Sequence, residues 1–126
     1  MRRINHWIGG QTVEGTSGRT GPVWNPATGE QQAEVDFASV EEVDRAVATA
    51  KEALIGWRAV SLSRRSEVMF HLRELVDANR KEIASLLTSE HGKVLGDALG
   101  EVARGLENIE FACGIPNLMK LSLIHI

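Results

Sequence analysis

A thiol, an imidazole, two carboxylates and an ammonium lie close enough in the second half of this sequence to suggest chemistry. Cys113 with His91 invites a thiolate nucleophile activated by a base. Glu90 and Glu101 could work as a carboxylate pair, and Lys93 could hold a phosphate near the start of a helix. Each has a plainer reading. Cys113 falls on the apolar side of a helix end, where a free cysteine behaves as a small buried hydrophobe. Glu90 and Glu101 sit at helix ends, where solvated or salt-bridged carboxylates are common. Lys93 can equally be a surface lysine. The four histidines, His6, His71, His91 and His125, have no metal-ligand spacing. There is no GxGxxG and no Walker loop. The residues themselves therefore give no catalytic, cofactor-binding or metal-binding constellation.

These residues surround one corner, Thr88-Ser89-Glu90-His91-Gly92-Lys93, with Gly100-Glu101-Val102 one helical run later. Gly92 is suited to end a helix in the left-handed conformation, and His91 in the last turn suits the helix dipole. Four helices are predicted to build this corner. Ser39 caps the first, with Glu41 and Glu42 in its first turn, and Val40, Val43, Val47, Ala50, Leu54 and Trp57 form its apolar stripe. The second starts after Ser63 and uses Val68, Leu72, Leu75 and Val76 as its inner face, with Arg64, Arg65, Arg73 and Glu74 mostly outward. The third starts at Asn79-Arg80-Lys81-Glu82, which has capping-box spacing, and buries Ile83, Leu86 and Leu87. The fourth runs from about Gly96 to Cys113 and buries Ala98, Val102, Leu106, Ile109 and Ala112 or Cys113. Gly114 stops it, and Pro116 follows where a helix cannot continue. Gly100 and Gly105 inside it predict close packing against a neighbouring backbone.

Upstream of the helices, two hairpins are predicted. Ile4 to Val13 turns at Gly9-Gly10, and Val23-Trp24 turns through Asn25-Pro26-Ala27-Thr28-Gly29 into an extended run with Ala33, Val35 and Phe37 on one face. The loop between the hairpins is polar and Gly-rich. Two such hairpins leave strand edges that call for further pairing.

The chain has 126 residues, 43% apolar and 25% charged, enough for one modest domain with a core. A net charge of −3 with both signs interspersed offers nothing to nucleic acid or an acidic membrane. The single cysteine excludes an internal disulfide and fits a reducing, cytoplasmic compartment. No apolar run approaches membrane-spanning length.

Taken together, the motifs resemble the aldehyde dehydrogenase superfamily. They are Trp7-Ile8-Gly9-Gly10, Asn25-Pro26-Ala27-Thr28-Gly29-Glu30, the helix from Val40 to Trp57 with Arg65 and the Leu72/Leu75 helix, and Glu90-His91-Gly92-Lys93 with Gly100-Glu101-Val102. The resemblance covers about residues 4 to 120. A narrower likeness, to the CoA-acylating methylmalonate-semialdehyde (malonate-semialdehyde) dehydrogenase branch, rests on three runs. These are Arg19-Thr20-Gly21-Pro22-Val23, Ser89 to Leu95, and Gly105-Leu106-Glu107 through Glu110-Phe111-Ala112-Cys113-Gly114-Ile115-Pro116. Gly96 and Asn108 depart mildly from that pattern.

The resemblance implies an α/β fold in which this chain is two β-hairpins followed by about four α-helices, part of the NAD-binding domain. It implies NAD-linked oxidation of a semialdehyde through a cysteine thioester, then transfer to CoA with loss of the carboxylate as bicarbonate. It also implies a homotetramer when complete. Family members are several times longer, and Cys113 does not occupy the nucleophile's motif, so no functional residue carries over. On this reading residues 1–120 are an incomplete N-terminal part of the cofactor-binding domain, inactive and without bound NAD or CoA. Such a piece, with uncovered apolar stripes and strand edges, is expected to fold poorly or self-associate. The run 121–126, apolar and alternating like a short exposed strand, resembles translated sequencing-adapter sequence and is expected to be a non-native tail. A non-acylating aldehyde dehydrogenase and a stand-alone helical interaction module are the alternative readings.

Overall fold

In the computed structural model, residues 1–124 are described, with side chains described for residues 1–119. The chain divides into two units, Met1–Ala59 and Val60–Ile126.

Among the described residues, the first unit holds all the strands. β2 (His6–Ile8) and β3 (Gln11–Val13) pair antiparallel as a two-stranded sheet. Their turn is Gly9-Gly10 at φ 63° and 80°, the doubly left-handed geometry that closes a tight hairpin. β4 (Thr20–Asn25) and β5 (Glu30–Asp36) form the second hairpin, with Gly29 N–H donating to the Asn25 carbonyl at 2.8 Å. The extra pairing that the strand edges called for comes from β1 (Arg2–Ile4), which the sequence reading missed. β1 runs parallel to β5, with Arg2 opposite Ala33 and Ile4 opposite Val35, so the sheet order is β1-β5-β4. β5 is central, and Ala33 on it is fully buried. Phe37 lies just beyond the strand, and its ring leaves no room for a Cβ on Gly21, which would stand 2.5 Å from Cζ.

Helix α1 (Val40–Ala59) follows. Its expected apolar stripe is not buried in this chain: Val40, Val43, Val47, Leu54 and Trp57 are all exposed. The covered face is Glu42, Ala46 and Thr49, at helical spacing. Small and polar side chains let the β2–β3 turn approach closely, and a Cβ on Gly9 would stand 3.5 Å from Thr49 Cγ2.

The second unit is helical. α2 (Leu62–Ala78) begins two residues earlier than predicted, capped by Ser61, whose hydroxyl accepts from the Arg64 amide. It is also rotated from the predicted setting. Val68, Leu72 and Leu75 are exposed, whereas Leu62, Arg65, Met69, Arg73 and Val76 are partly covered. Arg73 turns inward because two carboxylates meet it there: Glu110 at 2.9 Å and Asp77 at 3.4 Å.

α3 (Arg80–His91) starts where predicted, but Asn79 makes no capping box. Its Nδ2 instead donates back to the Leu75 carbonyl at 2.8 Å, finishing α2. Ala84 is the fully buried residue of α3, while Ile83 and Leu86 remain exposed and Leu87 is half-buried. α4 (Leu95–Cys113) presents the expected face: Ala98 is fully buried, and Val102, Leu106, Ile109, Ala112 and Cys113 are partly covered. Gly100 and Gly105 do not mark close packing within this chain, since a Cβ on either would meet open space.

Pro116 does not end helical structure either. A fifth helix, α5 (Ile115–Ile124), starts there, because proline lacks only an N–H that the first turn leaves unpaired anyway. The run expected to be strand-like is therefore helical through Ile124; His125 and Ile126 lie outside the described residues.

Candidate functional site

The predicted corner forms as expected. Gly92 has φ 84°, and its amide donates to the Thr88 carbonyl at 2.8 Å. Lys93 is not a surface lysine waiting for a phosphate. Its side chain is only 15% exposed, and its ammonium bonds Glu101. That bond, with lesser help from His91 and Arg104, holds the Glu101 carboxyl below the usual carboxylate range. Lys93 and Glu101 thus neutralise one another across the α3–α4 connection. Glu101 is committed to a cation and is not half of an acid–base pair with Glu90. Cys113 is half-buried on the inner face of α4, as the plainer reading has it.

The more ordered polar cluster is in the first unit, and the sequence reading found only its Ser39 cap and the placing of Glu42 in the first turn of α1. Two carboxylates are buried there, Asp36 at 5% and Glu42 at 3% exposure. Asp36 ends β5, where the register with β1 brings Arg3 alongside. Arg3 Nε donates to Asp36 Oδ1 at 2.7 Å, and the Gly15 amide donates to Oδ2 at 2.8 Å. Those two bonds hold the Asp36 carboxyl below its ordinary value. Glu42 Oε1 accepts from the Thr16 amide at 2.7 Å and the Thr16 hydroxyl at 3.0 Å. Its Oε2 accepts from the Ser39 amide at 2.8 Å, while the Ser39 hydroxyl accepts from the Glu42 amide at 3.2 Å. This is a capping box, Ser39-x-x-Glu42, and the S-x-x-E spacing is the signal that could have revealed it. The Ser39 and Thr16 amides lower the Glu42 carboxyl from its ordinary 4.5 to about 2.

A carboxylate held this way is a poor base and no acid, because both of its oxygens already accept from donors that prefer the anion. The chemistry of this cluster is mechanical. Asp36 and Glu42 fasten residues 15 and 16 of the loop between the hairpins, while Ser17 Oγ donates to the Phe37 carbonyl and Arg19 Nη2 to that of Ala38 at 2.9 Å.

A dinucleotide site uses a Gly-rich turn from a strand into a helix whose N-terminus faces the pyrophosphate. Among the described residues, the one parallel pair, β1 with β5, is connected through hairpins, and the only strand followed directly by a helix, β5, enters α1 through Phe37-Ala38-Ser39. The α1 N-terminus is already taken by the Glu42 carboxylate. Among the described residues, no group of three or more His, Cys, Asp or Glu is placed to hold a metal, and no helix is long and apolar enough to cross a membrane.

Residues 12–124 match the model of the aldehyde dehydrogenase family. The chain belongs to that family. Among curated proteins, it is 50% identical over 118 residues to malonate-semialdehyde dehydrogenase 2 of Geobacillus thermodenitrificans, covering 94% of this chain and 24% of that protein. It is 46% identical over 119 residues to malonate-semialdehyde dehydrogenase 2 of Bacillus mycoides, covering 94% and 25%. Among solved structures, it resembles a putative methylmalonate-semialdehyde dehydrogenase of Sinorhizobium meliloti complexed with NAD, with a TM-score of 0.91, 44% identity, and coverage of 94% and 24%. It also resembles methylmalonate-semialdehyde dehydrogenase of Oceanimonas doudoroffii, with a TM-score of 0.89, 43% identity and the same coverage. The chain spans about a quarter of the length of these relatives.

Proposed function

We propose that this chain is the N-terminal part of an NAD-dependent, CoA-acylating dehydrogenase of malonate or methylmalonate semialdehyde. The carrying observation is the 50% identity over 118 residues to a malonate-semialdehyde dehydrogenase. In this reading the complete enzyme is a cytoplasmic homo-oligomer. Residues 1–126 supply scaffold: a sheet edge, a fastened loop and a layer of helices. The nucleophile, the NAD site and the CoA channel belong to polypeptide beyond them.

The test is to clone the whole reading frame and supply its purified product with malonate semialdehyde and NAD, with and without CoA. NADH formation that requires CoA and yields acetyl-CoA is expected. Release of the free acid at the same rate without CoA would replace the acylating reading with a hydrolytic one. No NADH from any semialdehyde would overturn the proposal. Residues 1–126 alone should oxidise no aldehyde and give no saturable heat on titration with NAD. A micromolar NAD site in that chain would defeat the scaffold assignment.

A further inference from the structure

We draw no further inference here: the strongest candidate, the exposed apolar face of α1 formed by Val40, Val43, Val47, Leu54 and Trp57, carries nothing because nothing in the structure shows what covers it.

Discussion

The two units bury different things. In Met1–Ala59 the best-buried side chains besides Ala33 are the carboxylates Asp36 and Glu42, each bonded by at least one residue far away in sequence. Among the described residues of Val60–Ile126 the fully buried side chains are Ala84 on α3 and Ala98 on α4. One unit is fastened by a few directed bonds onto charges. The other depends on helices approaching at small residues, with its ion pairs Arg73–Glu110 and Lys93–Glu101 at the margins. Among the described residues neither encloses a large apolar side chain: Trp7, Trp24 and Trp57 are all exposed. Directed bonds tolerate this poverty of core in a small sheet, because each anchors a particular backbone amide. Helices without large interlocking side chains have only close approach to hold them.

The contrast is broken most severely at Glu42. Glu42→Ala leaves the Thr16 and Ser39 amides without their acceptor, so the loop at residues 14–19 should open. Hydrogen exchange at those amides should accelerate about tenfold or more, since buried donors lose their partner outright. Exchange in α3 and α4 should not change. Equal acceleration in both units would show that they are not separately fastened.

Acid should act on the same bonds. The Glu42 carboxyl is lowered from 4.5 to about 2, so its contribution is full above pH 4.5 and disappears as the pH falls toward 2. Asp36, also lowered, acts in the same direction. Protection at Thr16 should therefore decay across that window. Glu42→Gln should flatten the decay, and an identical pH profile for the variant would count against the assignment.

In the helical unit the sensitive position is small rather than charged. Ala98→Leu should destabilise the protein by about 1–3 kcal/mol through overpacking, with no dependence on pH. Thermal unfolding reads this, and a neutral result would show that α3 and α4 can move apart freely. The smallest effect has the opposite sign. Gly105→Ala adds a methyl into open space on a helix interior and should stabilise by about 0.5–1 kcal/mol. A loss of stability in the longer protein would show that further polypeptide rests on this glycine, as the sequence reading expected.

Much of the local architecture was legible in the sequence. Gly9-Gly10, Asn25 to Gly29, Ser39 and Gly92 set two hairpins, one helix start and one helix end, because each works through the φ of a single residue or a bond between near neighbours. Periodicity placed the inner face of α4 correctly, since its apolar stripe and its covered face coincide. It failed on α1 and α2, where the stripe is exposed and a different face is covered. A stripe reports that something is to be buried, not which neighbour is present to bury it. Pro116 was misread because a proline that forbids a helix interior is welcome in a first turn.

Tertiary structure alone decided the parallel pairing of β1 with β5 and the fastening of the loop by Asp36 and Glu42. Arg3 and Asp36 are 33 residues apart, and Thr16 and Glu42 are 26 apart. No local preference of Arg3, Gly15 or Thr16 encodes such a partner. The bonds exist because the register of β1 on β5 and the entry of α1 bring donor and acceptor to one place, where water is excluded and each carboxylate must be matched.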